Sequence, residues 1–198
     1  MRKLLITGGA GFIGVNSAIH FSIKGWKVVI LDNLSRPGAN NNLQWITDQA
    51  KVEFVKADIR DSGAMVSAVQ GSRPDVVLHL AGQVAVTTSV QDPRSDFEIN
   101  ATGTFNLLEA IRQFSPDSVF LNASTNKVYG KMEDCAVQEY EGKYGYRDIE
   151  GVAETQPLDF HSPYGCSKGA ADQYCIDYAR IYNLRTVTLR QSCIYGQR

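Results

Sequence analysis

Alternation constrains this chain more than any other feature of its sequence. Short runs rich in apolar and β-branched residues recur from the first residues onward, and stretches of helical period lie between them. Six runs read as strands, at residues 3–7, 27–32, 52–57, 75–80, 118–123 and 185–191. Their centres, such as VVIL, DVVLHL and SVFL, are near-continuous in apolar character, as parallel strands covered on both faces require. FIGVNSAIHFSIKG and NATGTFNLLEAIRQF are two of the intervening amphipathic stretches. The pattern predicts an α/β fold, a doubly wound parallel sheet with helices on both faces. At 198 residues, 43% of them apolar, the chain suffices for one domain with a sizeable core and not for two. Residues 131–161, acidic and rich in tyrosine and glycine, break the rhythm and read as an irregular insertion.

Charge and cysteine usage narrow the function. Lys and Arg number 20 against 21 Asp and Glu, a net charge of −1, with no basic run. Neither a nucleic acid nor an anionic membrane is an expected partner, and no apolar run reaches bilayer length. The opening MRKLLITGGAGFIGV imitates a secretory signal but lacks a small-residue cleavage site, and its regular glycines give it another purpose. Cys135, Cys166, Cys175 and Cys193 show no CxxC pair and no metal-ligand spacing. Isolated thiols of this kind suit a reducing cytoplasm, with no metal expected.

The purpose of those glycines is phosphate binding. In ITGGAGFIG, directly after the first strand, Gly8 permits a tight turn and Gly11 lets backbone approach a pyrophosphate. Gly14 lets the following helix pack closely. Backbone N–H groups near Phe12 and Ile13 face the anion. Asp32 ends the second strand, 21 residues after Gly11. A carboxylate there accepts both hydroxyls of an adenosine ribose and repels a 2′-phosphate, so NAD is expected rather than NADP. Arg36 is the weaker, competing signal for a phosphate. Together these features predict a dinucleotide-binding (Rossmann) domain. Asn33 and Ser35 beside Asp32 join the expected cofactor contacts, as do Asp58 and Ile59 after the third strand and Leu80, Ala81, Gly82 and Gln83 after the fourth.

HSPYGCSKGAADQY places Tyr164 and Lys168 four residues apart, on one face of a helix. A phenol ionises near pH ~10. A neighbouring ammonium, with the positive charge of an oxidised nicotinamide, favours the phenolate and makes a usable base. Lys168 can also reach the nicotinamide ribose. Such a base removes a hydroxyl proton while hydride leaves the carbon. Ser124 and Thr125, within NASTNKVYG, are the candidate hydroxyls for orienting that substrate. Any one of these features has a plain structural reading, a strand-end cap or an exposed helix pair; their order along the chain is what argues for chemistry. His79 reads as a hydrogen-bonded core residue, His161 as a cap for the following helix, and Cys166 as packing.

In that order, TGGAGFIG, Asp32, HLAGQ, EINATGTFNLLEA, the Ser/Thr-x-x-VYG stretch and SPYGCSK resemble the extended short-chain dehydrogenase/reductase family of nucleotide-sugar enzymes, over the whole chain. The resemblance implies Tyr164 as base, Lys168 as its partner and Thr125, five residues before Gly130, as the family hydroxyl. It adds Asn100 to the cofactor set. Sugar 4,6-dehydratases of this family carry Asp-Glu after the hydroxyl position; this chain has Asn126-Lys127, which favours epimerisation over elimination. DNLSRPGANNNLQWI, HLAGQVAVTTSVQDP and DFHSPYGCSKGAADQYCIDYARIYNL look most like the branch that epimerises CDP-linked 3,6-dideoxyhexoses at C2, sugars of surface polysaccharides such as lipopolysaccharide O-antigen. Asn122-Ala123 departs from the serines common there. Gln83, Thr87, Thr88, Ser124 and Thr125 are the expected substrate contacts. Family members continue into a smaller substrate domain, expected beyond residue 198, and pair between subunits as homo-oligomers. C4 epimerisation, dehydration and a non-catalytic dinucleotide module are the competing readings.

Overall fold

The first strand, KLLIT, is buried at four of its five positions, which places it in the middle of a sheet covered on both faces. In the computed structural model, which describes residues 1–196, the strands are β1 (Lys3–Thr7), β2 (Lys27–Asp32), β3 (Val52–Lys56), β4 (Val76–His79), β5 (Val119–Thr125), β6 (Val137–Tyr140), β7 (Lys143–Tyr146) and β8 (Arg185–Gln191). Six of them form one parallel sheet in the order β3-β2-β1-β4-β5-β8. The chain winds outward from β1 to β3, then returns to β4 and winds the other way. Between β1 and β4 the connections therefore diverge, and a crevice opens at the carboxyl ends of the strands.

Among the described residues seven α-helices accompany the sheet: α1 (Phe12–Ile23), α2 (Ala39–Gln49), α3 (Ser62–Ser72), α4 (Val86–Gln91), α5 (Pro93–Phe97), α6 (Gly103–Phe114) and α7 (Pro163–Tyr182). Alternation along the strands builds two cores. Leu4, Ile6, Val28 and Ile30 point to the α1–α2 side, whereas Leu5, Val29, Leu31, Val77 and Phe120 point to the α3–α6–α7 side. Leu5, Ile6 and Phe120 have no exposed surface; cutting any of them to alanine costs about 2–5 kcal/mol.

The expected strands all form, with ends shifted by at most two residues. The extension of β5 to Thr125 matters, because it carries Ser124 and Thr125 onto the crevice edge. Three features differ from the sequence reading. Helix α7 is capped by Ser162, whose Oγ accepts from Gly165 N at 3.0 Å with Pro163 in the first turn; His161 instead pairs with Asp159 at 2.7 Å. An N-cap needs a short side-chain oxygen, which imidazole does not offer. A π-helical turn (Glu98–Thr102) precedes α6. Within 131–161 the strands β6 and β7 form a hairpin whose turn residues Glu141 and Gly142 both have positive φ, 46° and 76°. That is the type I′ geometry two-residue hairpins favour.

Among the described residues no helix is long and apolar enough to cross a membrane, and no His/Cys/Asp/Glu cluster could hold a metal. All four cysteines are free.

Candidate active site

The turn from β1 into α1 is built from backbone. Gly8 has φ +68°, and a Cβ there would stand 2.6 Å from Ala81 N, so only glycine lets this turn approach the end of β4. Gly11 is the N-cap of α1 and brings no capping side chain, leaving the first-turn N–H groups of the helix open. A Cβ on Gly11 would meet only Gly8 O, at 3.1 Å, and otherwise fill the crevice. Gly14 is buried where α1 packs on the turn.

Asp32 does two jobs. Its Oδ2 accepts from Ala10 N at 3.0 Å and its Oδ1 from Leu34 N at 2.8 Å, bracing the glycine turn from the next strand. Each oxygen still has a lone pair to offer the cavity it lines. That cavity also exposes Gly8, Gly11, Asn33, Ser35, Arg36, Asp58, Ile59, Leu80, Ala81, Gly82, Gln83 and Thr88. Asn33 Nδ2 donates to Asp58 at 2.8 Å. Asp58 takes a two-pronged contact from Arg60, at 3.0 and 2.8 Å, and these hydrogen bonds hold its carboxyl well below the usual range.

A second cavity shares Gly8, Gly11, Arg36, Leu80 and Gly82 with the first, so the two make one groove across the carboxyl ends of the strands. Its further walls are Phe12, Ile13, Gly14, Ala123, Ser124, Thr125, Asn126, Lys127, Tyr164, Lys168 and residues 191–194. Tyr164 and Thr125 line this cavity together, and the Thr125 side chain acts on the Tyr164 phenol; Thr125 Oγ1 accepts from Lys127 N at 3.2 Å. Ser124 is committed elsewhere, donating to Asp172 at 2.8 Å. Thr125 is therefore the hydroxyl that meets the tyrosine.

The protein's own groups act on the pair mainly through burial. Lys168 Nζ is directed at Ala123 O, 2.6 Å away, and burial lowers its pKa to about 8. Burial also raises the Tyr164 phenol; the Thr125 side chain opposes this and Asp96 adds to it. Both side chains line the same cavity, as the i, i+4 spacing predicts; Lys168 Nζ meets a carbonyl, and the protein's own groups push the phenol up rather than down. Desolvation outweighs the charge–charge effect that the spacing suggests.

Two expected contacts lie outside the groove. Asn100 is 1% exposed and lines neither cavity; its amide accepts from Gln83 N at 2.9 Å and donates to Ser167 Oγ at 3.1 Å and Asp96 at 3.2 Å. Thr87 is exposed on α4 and also lines neither. His79 is a core residue, as expected. Thr104 Oγ1 donates to Asn100 O at 2.6 Å, so it accepts from His79 Nε2, while Thr7 Oγ1 donates to Nδ1 at 2.6 Å. Sequence reasoning missed Asp96, Ser167, Asp172 and Arg190. Asp172, fully buried, meets Arg190 in two contacts of 3.0 and 2.9 Å, and Arg190 reaches Tyr129 OH at 3.0 Å. Its position four residues after Lys168, on the same helix face, was the available signal.

Comparison with known proteins places this architecture. The family described as GDP-mannose 4,6 dehydratase matches residues 5–198. The CDP-paratose 2-epimerase of Salmonella typhi is 51% identical over 99% of this chain and 58% of its own length. A dTDP-glucose 4,6-dehydratase of Xanthomonas campestris pv. campestris (strain B100) is 35% identical, over 99% of this chain and 54% of its own length. Among solved structures, the UDP-glucose 4-epimerase of Thermus thermophilus in complex with NAD superposes with TM-score 0.76 at 35% identity, over 96% of this chain and 54% of that one. DesIV, a dTDP-glucose 4,6-dehydratase of Streptomyces venezuelae with NAD and TYD bound, gives 0.80 at 29%, over 96% and 55%. The chain thus spans little more than half the length of the curated relatives it matches. It belongs to the GDP-mannose 4,6 dehydratase family, within the extended short-chain dehydrogenase/reductases that its motifs resemble.

Proposed function

We propose that this chain supplies the cofactor-binding and catalytic part of an NAD-dependent nucleotide-sugar epimerase. Its reaction is the conversion of CDP-paratose to CDP-tyvelose by transient oxidation at C2. The residues fit NAD. The absent Cβ of Gly11 leaves room beside open helix N–H groups for a pyrophosphate, and Asp32 offers free lone pairs to a ribose diol. The groove then continues without a break to Tyr164. When bound, NAD supplies the acceptor for a hydride and its later return.

The chain's own residues manage the proton. Thr125 orients the sugar hydroxyl; as a phenolate, the form that the positive charge of bound oxidised NAD would favour, the Tyr164 oxygen takes that hydroxyl's proton and later gives it back. Lys168, ammonium-charged at neutral pH, steadies the phenolate through the charge it brings within the same buried site.

One observation carries epimerisation over elimination: no carboxylate lines the reaction end of the groove among the described residues. Losing water from a sugar needs an acid and a base beyond the tyrosine, and Asn126 and Lys127 stand where the family's dehydratases carry Asp-Glu. Rotating a ketone and returning hydride to its other face needs neither. The choice of a CDP-linked substrate leans on the Salmonella typhi relative. Exposed Phe105, Tyr174 and Tyr182 on α6 and α7 favour a homo-oligomer, and four free thiols favour the cytoplasm.

The test is incubation of the intact protein with CDP-paratose in D2O, followed by NMR. CDP-tyvelose that retains its C2 hydrogen is expected. A dehydrated 4-keto product, or turnover of UDP-glucose but not CDP-paratose, overturns the assignment.

A further inference from the structure

A carboxylate lies behind the Tyr164–Lys168 pair that no sequence motif marks. Asp96, in α5, is 1% exposed. Its hydrogen bonds all come from neutral donors: Ser167 Oγ to Oδ2 at 2.5 Å, Gln83 Nε2 to Oδ1 at 2.8 Å and Asn100 Nδ2 to Oδ1 at 3.2 Å. Among the described residues no ion pair reaches it. A buried carboxylate without an ion-pair partner is costly and is seldom kept for stability alone.

Its partners show what it touches. Ser167 sits between Tyr164 and Lys168 on α7, and its Oγ also contacts Tyr164 O at 3.2 Å. Gln83 lines the groove. Asn100 ties the same carboxylate to the backbone of the loop after β4; a Cβ on neighbouring Gly82 would come 3.0 Å from Asn100 Oδ1 and 3.8 Å from Lys168 Nζ. One carboxylate thus joins α5, α7 and the groove wall.

We propose that Asp96 is a positioning residue for the catalytic pair, held through Ser167 to the helix turn between Tyr164 and Lys168, and through Gln83 to the groove wall. It fixes the register of the two side chains and brings a carboxylate behind them. This deepens the epimerase reading and rests on it. That carboxylate favours the ammonium of Lys168 and opposes early ionisation of Tyr164. Burial remains the largest influence on both groups. The other titratable groups acting on Lys168 are Asp172 and Cys175 from α7 and His79 from β4.

The experiment is an NMR titration of the intact protein carrying 13Cε-lysine, with Lys168 assigned through Lys168→Met. In Asp96→Asn the Lys168 midpoint should fall by about half a unit or more, and Asp96→Glu should move it back. A midpoint that Asp96→Asn leaves in place overturns the proposal. If Asp96→Asn does not fold, Ser167→Ala takes its place, keeping the charge but removing the bridge. A loss in kcat of about fivefold or more at unchanged KM is then expected, and an unchanged kcat overturns the proposal. The titration needs no substrate. A wild-type protein inactive on CDP-paratose would therefore sink the epimerase assignment without touching the outcome for Asp96.

Discussion

The two ends of the groove each contain an Asp–Arg pair in two-pronged contact, and the pairs are unlike. Asp58 and Arg60 lie two residues apart at the end of β3, with 28% and 43% of their side-chain surfaces exposed. Asp172 and Arg190 come from α7 and β8, eighteen residues apart, and are 0% and 14% exposed. The first pair is a local clip on a solvated rim; the second is a buried rivet that also takes the Ser124 hydroxyl and, through Arg190, reaches Tyr129 OH. The same contrast holds for the ends as wholes. The Asp32 end is assembled largely from backbone, a helix N-terminus and the carboxylates of Asp32 and Asp58, at the ends of β1 to β4. The Tyr164 end is assembled from side chains on α5, β5, α7 and β8 that meet only once the sheet has formed.

The largest effect expected from this difference is functional and confined to one end. Tyr164→Phe should lower kcat by about 10²–10⁴-fold, while NAD affinity measured by calorimetry stays within about twofold, because the phenol oxygen is remote from Asp32. Loss of NAD binding together with activity would mean that the ends are not separable.

This division also explains what could be read before any coordinates. Gly8, Gly11 and Asp32 were legible because they fall in a recurring strand–turn–helix–strand pattern of fixed spacing, and the i, i+4 spacing put Tyr164 beside Lys168. The upward push on the phenol was not legible, since it follows from burial, which only the assembled site sets. Asp96 and Arg190 escaped because no recurring motif marks them and their partners are set by the assembled packing. The β6–β7 hairpin was hidden differently, its turn being Glu-Gly rather than the usual Asn-Gly.

Stability separates the ends next. Asp172→Asn leaves the largely covered Arg190 without its counter-charge, at a cost of about 3 kcal/mol in denaturant unfolding. Asp58→Asn, at the partly solvated pair, should cost no more than about 1 kcal/mol. Equal losses would remove the distinction between rivet and clip. At the backbone-built end the converse holds. Gly11→Val should shift unfolding by only about 1 kcal/mol, yet weaken NAD binding about tenfold or more by filling the space beside the helix N-terminus. A variant that binds NAD normally would mean that the cofactor passes elsewhere.

The smallest effect belongs to His79, which stands between the ends and joins β1 to α6 through Thr7 and Thr104. Burial first, and the charge of Lys168 second, lower its pKa from 6.5 to about 3. Below pH 6.5 the unfolded chain takes up a proton that the folded protein refuses, so the unfolded state binds more protons and acid favours it. The stability that neutral His79 allows is whole above pH 6.5 and declines as pH falls toward 3. Between pH ~6.5 and ~5.5 the loss should be about 1 kcal/mol. Lys168 runs by the same rule in another window: with its folded pKa at about 8 against 10.5, the cost of burying its charge persists at neutral pH and lifts as pH rises from 8 to 10.5. Unfolding measured against pH in wild type and His79→Phe isolates the histidine, whose acid slope should vanish in the variant. An unchanged slope would show that acid acts at surface carboxylates and not at the junction of the two ends.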